Sequence, residues 1–193
     1  MHKLPSSFYT RRTLTVAKDL LGKIFVHNIG KKILSGKIVE VEAYLHNDPA
    51  CHAFRGMTER NKVMFNEGGY VYVYFTYGVH YCANIVTYKK GVGEAVLIRA
   101  VEPITGIEVM KKNRHTDVKH LYNLTNGPAK FTQAFGLGRE HNGISLLGNE
   151  IFLLRGEQIP PSKIIATTRI GITAGREKKW RFYIKDNPWI SKS

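Results

Sequence analysis

Residues 34–44 read LSGKIVEVEAY, and their alternation decides the fold. Successive side chains of a strand point to opposite sides, so Ile38, Glu40, Glu42 and Tyr44 share one face. Val39, Val41 and Ala43 take the other. The pattern predicts a strand with an apolar back and a front carrying carboxylates and a phenol. Upstream, residues 12–21 place apolar side chains at helical spacing and stop at Gly22, and residues 23–27 read as a strand. Downstream, residues 47–55 form a polar loop, and Thr58 stands where it would cap a short helix to Asn66. Residues 70–76, YVYVYFT, make a second alternating strand. Tyr70, Tyr72 and Tyr74 point one way, Val71, Val73 and Phe75 the other, and Tyr77-Gly78 forms the turn at its tip.

Further strands are expected over 81–88 and 93–101, then a helix opened by Pro103 and running to about Lys112. A polar, mobile stretch over 113–123 leads to a helix from Asn126-Gly127-Pro128 through Phe135. A hairpin with a Gly-Asn turn over 146–151 and closing strands over 164–172 and 180–184 complete the chain. With no repeat or linker, 193 residues predict one compact α+β domain, a mostly antiparallel curved sheet with flanking helices.

Lys plus Arg number 29 against 15 Asp plus Glu, a formal charge of +14. Such an excess favours a phosphate-rich partner, because basic side chains on phosphates release counterions. No eighteen-residue apolar run occurs, so no membrane partner is expected. MHKLPSSFYTRR lacks an apolar signal core, which points to the cytoplasm. Cys51 and Cys82 have no metal-ligand spacing and read as reduced thiols. There is no G-x-S-x-G, H-E-x-x-H, P-loop or zinc-deaminase signature.

Glu42 admits two readings. It is a salt-bridged or solvated strand residue, or a general base whose charge is kept by a nearby cation. Arg99, at the end of the apolar run 95–98, is the candidate cation. Tyr44, Tyr74 and His52 would form a slot for a flat heterocycle, each base–ring stack contributing roughly 1–3 kcal/mol. Tyr70 and Tyr72 read as core. Tyr77, beside a turn glycine, either lies on the surface or protrudes to fill the gap left by an extruded nucleotide. Asn84 is a strand amide or a purine filter at the rim. Phosphate contacts are expected from Arg60, Lys62, Lys130, Arg139 and the amides near Gly127.

These residues resemble the alkyladenine (3-methyladenine) DNA glycosylase family, the monofunctional type shared by mammals and some bacteria. The matching blocks are LLGK, VEVEAY, the His52–Arg55-Gly56 loop, TERN, YVYVYFTYG, the Asn84 strand, LIRAVEP, NGPAK, RIGITAG and RFYIKDNPWIS, from about Phe8 to Trp189. The resemblance implies an enzyme that flips alkylated or deaminated purines out of double-stranded DNA and hydrolyses the N-glycosidic bond. Its substrates would be 3-methyladenine, 7-methylguanine, hypoxanthine and ethenoadenine. It further implies a monomer of the bacterial cytosol or nucleoid without metal or redox cofactor. Glu42 would deprotonate the attacking water, held also by Arg99 and the Ile172 carbonyl. Tyr44, Tyr74 and His52 would sandwich the base, Tyr77 would intercalate, and Asn84 would exclude the guanine amino group. The loop before His52 is one residue shorter than the mammalian pattern, and Phe54 is inserted after it. The rival readings are a non-catalytic nucleic-acid-binding protein and a glycosylase/lyase with a lysine nucleophile.

Overall fold

Eight strands form one antiparallel sheet in the computed structural model, which describes residues 2–76, 78–115 and 120–191. The strands are β1 (Ile24–Ile29), β2 (Lys32–Tyr44), β3 (Val71–Thr76), β4 (His80–Val86), β5 (Ala95–Thr105), β6 (Ile151–Leu154), β7 (Ile164–Thr167) and β8 (Arg181–Ile184). Their order is β3-β4-β5-β2-β1-β6, with β8 pairing both β2 and β7. The helices are α1 (Ser6–Tyr9), α2 (Thr13–Leu20), α3 (Ile107–Asn113) and α4 (Pro128–Phe135). The expected turn at Tyr77 and part of the polar 113–123 stretch lie outside the described residues; Leu121–Leu124 form a 3-10 turn.

β2 organises the sheet. Its residues 32–37 pair with β1, while Glu40, Val41 and Glu42 pair with β8 along the same edge. The hand-over coincides with two bulges against β5. Val39 has no partner between Ile38↔Val101 and Glu40↔Ala100, and Arg99 has none between Ala100 and Ile98. Bulges bend a strand and re-aim side chains, and here the sheet curls. The first bulge turns Ile38 into the core beside Val39, both fully buried, rather than onto the face of Glu40.

Two apolar clusters cover the two faces. The larger packs Val16, Ala17 and Leu20 of α2 and Phe131 and Phe135 of α4 against Val41, Ala43, Val71 and Ile98. Phe25 meets Phe131 and Phe135 edge-on at 5.1 and 5.5 Å. The smaller sets Tyr72, Val86 and Ala95 against Cys51, Ala53, Val63 and Met64, with Tyr44, Tyr70 and Tyr74 packed on it. The 45–67 segment therefore roofs the tyrosine face. α4 opens on Pro128 and closes on Gly136 in a left-handed conformation (φ 66°), as its sequence predicts.

Four local expectations are corrected. Pro103 lies inside β5 opposite Gly36, at a register shift, and α3 starts only after Gly106; a bulge tolerates the missing amide. Thr58 caps nothing, since its amide donates to Asn61 Oδ1 (2.6 Å) and only Lys62–Phe65 form a 3-10 turn. Residues 146–150 are turns, and β6 pairs with β1 instead of closing a hairpin. The strand from Ile164 ends at Thr167, and the chain leaves the sheet as a loop. Among the described residues no helix is long and apolar enough to cross a membrane.

His27 of β1 is buried and its Nδ1 donates to the Phe135 carbonyl (2.8 Å), tying β1 to α4. Burial holds its pKa below the ordinary histidine value, aided by the neighbouring His141. The unfolded chain therefore takes up this proton at higher pH than the native one, and stability is lost as pH falls through about 6.5. Urea denaturation between pH 7 and 5 will show a steeper loss for the wild type than for His27→Gln, the difference reaching at most ~1.4 kcal/mol per pH unit.

Candidate active site

Strand register sets one cross-strand row on the tyrosine face. Tyr72 lies opposite Asn84, Asn84 opposite Leu97, Leu97 opposite Glu42, and Glu42 opposite Arg181. Tyr74 and Tyr44 stand two residues along β3 and β2. Above the row opens a cavity of about 480 Å³, within the usual range for small-ligand sites. The roof adds Pro49, Ala50, His52, Arg60 and Met64, and the loop after β7 adds residues 170–173.

Glu42 is fully buried at the floor. Arg99 Nη1 lies 3.1 Å from its Oε1, the Ile170 amide donates to the same oxygen (2.8 Å), and the Tyr44 hydroxyl donates to Oε2 (2.8 Å). A carboxylate offers about four lone-pair directions. Hydrogen bonds take one on each oxygen, and the Arg99 ion pair sits at Oε1; among the described residues Oε2 accepts from the Tyr44 hydroxyl alone and keeps a lone pair.

Arg99 is oriented by Glu40, which is equally buried. Glu40 Oε1 accepts from Arg99 Nε (2.9 Å), Arg181 Nε (2.7 Å) and Ser191 Oγ (2.8 Å), and Oε2 accepts from the Ser191 amide (2.6 Å). Two carboxylates and two guanidiniums thus balance inside the sheet, with Arg99 bridging the acids. The bulge that leaves Arg99 unpaired in β5 aims it at them.

The rings gather as the tyrosine stripe implies. His52 lies edge-on to Tyr74 at 4.5 Å, and its Nδ1 is 3.0 Å from the Tyr72 hydroxyl. Burial, then the Arg60 charge, lower the His52 pKa, so the ring is neutral near pH 7. Burial pushes the Tyr72 phenol up to about 12 and raises Tyr44 and Tyr74 further, with the Glu42 charge adding to both. All three keep their protons. Burial also raises the Cys82 thiol in the cavity wall. Asn84 is buried and donates to the Tyr72 carbonyl (3.1 Å).

Glu42, Tyr44, His52, Arg60, Tyr74, Asn84, Arg99 and Ile172 all line this cavity. The Ile172 carbonyl accepts from Arg176 Nε (3.0 Å); the backbone group that reaches Glu42 is the Ile170 amide. Lys62 pairs with Glu59 (2.8 Å), Lys130 bonds Asn126 Oδ1 (2.7 Å) and Arg139 is exposed in a 3-10 turn; none of the three is in the lining. Tyr77 lies outside the described residues. Sequence reading took Tyr72 for core alone, yet it also lines the cavity. It missed Ile170, Ser191 and Arg169, for which no local pattern exists. No lysine lines the cavity among the described residues.

Among the described residues one other cluster, His27, His141 and Glu150, has metal-ligand proximity. The Gly138 amide donates to His141 Nδ1 (2.9 Å), so the neutral ring carries its proton on Nε2, which then has no lone pair for an ion.

A buried carboxylate in the wall of a cavity lined by aromatic rings, in a strongly basic chain, suits hydrolysis at a nucleobase. Comparison with known proteins agrees. A family model described as methylpurine-DNA glycosylase matches residues 7–188. A protein of Carboxydothermus hydrogenoformans is 50% identical over 190 residues, covering 98% of either chain. One of Chlorobaculum tepidum is 50% identical over 195 residues, covering 100% of this chain and 92% of the relative. One of Francisella tularensis subsp. tularensis is 50% identical over 184 residues, covering 94% of each. All three carry the name "Putative 3-methyladenine DNA glycosylase". The class is therefore a DNA-repair glycosylase, a hydrolase of N-glycosyl bonds. The chain belongs to the methylpurine-DNA glycosylase family.

Removing one member of a buried ionic group leaves the others uncompensated. Glu40→Ala will lower stability by about 3–5 kcal/mol in urea denaturation, because Arg99 and Arg181 are each under a tenth exposed.

Proposed function

We propose that the protein draws alkylated or deaminated purines out of duplex DNA and releases them with a water activated by Glu42, leaving an abasic site. The carrying observation is Glu42 itself, a fully buried carboxylate that lines one cavity with Tyr44, Tyr74 and His52 and whose Oε2 accepts only from the Tyr44 hydroxyl among the described residues. A water there would give its proton to the carboxylate and attack the sugar anomeric carbon. The sugar gains positive charge as the bond breaks, so Glu42 acts both as base and as counter-charge. Arg99 holds the carboxylate in place, and Ile172, in the loop over the floor, would help to seat the water.

The extruded base would lie against Tyr44 and Tyr74, with His52 at the edge. Asn84, its amide nitrogen committed to the Tyr72 carbonyl, would stand as a fixed obstacle to the exocyclic amino group of guanine. Tyr77 would occupy the gap in the duplex, and Arg60, at the cavity, would meet the backbone beside the lesion together with Lys62, Lys130 and Arg139. Charged lesions such as 3-methyladenine leave readily, whereas neutral ones such as hypoxanthine need a proton from a site water. The lining, free of lysine among the described residues, supports water rather than an amine as the nucleophile. Borohydride trapping on damaged duplex will then give no covalent adduct.

Glu42→Gln will slow hypoxanthine release by at least ~10²-fold while leaving duplex binding unchanged. Single-turnover assays followed by alkaline cleavage at abasic sites measure it; turnover at the wild-type rate would refute the assignment. Duplex affinity will fall with salt at a log–log slope of roughly −5, for about five or six neutralised phosphates. A slope near zero would contradict an electrostatic footprint.

A further inference from the structure

The loop that closes the cavity over Glu42 is anchored by a buried ion pair to which the proposed chemistry assigns no part. Arg169 immediately precedes Ile170, whose amide donates to Glu42 Oε1. The side chains of Arg169 and Asp48 are both fully buried and in direct contact, Nη1 donating to Oδ2. Nη1 also donates to the Ala43 carbonyl (3.1 Å) and Nη2 to the Gly175 carbonyl (3.2 Å). The guanidinium lies over the ring of Tyr44 (4.7 Å to its centre) and over that of Trp180 (5.3 Å).

Both hydrogen bonds that Glu42 accepts among the described residues therefore depend on Arg169. One is the peptide that follows it, and the other is the hydroxyl of the ring that it braces. The loop also returns flush onto the pair. A side chain at Gly175 (φ 61°) would put its first carbon 2.7 Å from Asp48 Oδ1 and 3.1 Å from Arg169 Nη2. The Asp48 carboxyl is lowered: burial works to raise it, and the Arg169 guanidinium, the Ala50 amide and Lys178 outweigh that.

We infer that Asp48 and Arg169 are positioning residues of the reaction: they clamp the loop so that the Ile170 amide and the Tyr44 hydroxyl together hold Glu42 with one lone pair turned to the substrate. This rests on the reading of Glu42 as the base. Neither residue touches the reacting atoms. Lysine would not replace arginine, because only a planar fork can bind a carboxylate and two carbonyls while lying over aromatic rings.

The test is a double-mutant cycle of Asp48→Asn and Glu42→Gln in the full chain. It is read as single-turnover release of 7-methylguanine, a charged base that leaves fast enough for slow variants to be followed. Duplex dissociation constants and thermal midpoints are measured alongside. Asp48→Asn alone is expected to slow release ~10–100-fold, the scale of a small misplacement of a reacting group, with the dissociation constant within about threefold. In the Glu42→Gln background it is expected to add nothing, since the clamp acts through that carboxylate. Arg169→Lys, the second variant, is expected to repeat this pattern. Equal slowing in both backgrounds, or an unchanged rate in folded single variants, would overturn the inference. So would loss of the fold in both single variants, which would make the pair a stability element. Wild-type release by Glu42→Gln is the separate result that removes the base reading itself.

Discussion

Two carboxylates two residues apart on one strand have been taken out of water, and the rest of the site follows from that cost. Glu40 and Glu42 are both fully buried. Isolated buried carboxylates would be strongly unfavourable, so the fold must supply cations and amide donors at fixed places. Arg99 serves both acids, Arg181 and Ser191 complete Glu40, and Ile170 and Tyr44 complete Glu42. These partners come from β5, β8, the segment after β8, the loop after β7 and β2 itself. The carboxylates thereby tie distant parts of the chain to one spot.

The sheet makes this possible through irregularity. A regular β2–β5 ladder would keep every residue of β5 in register and would put Ile38 on the front face. The paired bulges at Val39 and Arg99 instead hand one edge of β2 from β1 to β8 and send an arginine out of the ladder toward both acids. The same curl leaves room between the tyrosine face and its roof, so a cavity forms where a flat sheet would have closed on its cover. Polar chemistry at the floor and aromatic walls above it are products of one bend.

Much of this was legible in residue order. Period-two alternation placed Glu42 beside Tyr44 and separated Tyr72 and Tyr74 from Val71 and Val73, because the two faces of the sheet carry different chemistry, an aliphatic core behind and a polar, aromatic site in front. Arg99 stood out as a charge ending an apolar run. What escaped reading was non-local or geometric. Ile38 changes face through a bulge that no single strand announces, and Pro103 looked like a helix start because its tolerance inside β5 depends on Gly36 across the ladder. Asp48 and Arg169 are 121 residues apart, and neither spacing nor composition links them. Thr58 looked like a cap until Asn61 turned out to accept its amide. Tyr72 was read as filling, and it is both filling and wall.

The most direct measurement of the central claim is a crystal structure with a duplex holding a 2′-fluoro hypoxanthine nucleotide, which resists hydrolysis. The purine is expected between Tyr44 and Tyr74 with His52 at its edge. A water is expected within roughly 2.6–3.2 Å of Glu42 Oε2, lying between that oxygen and the anomeric carbon. A purine still stacked in the duplex, or seated with its sugar turned away from Glu42, would contradict that claim.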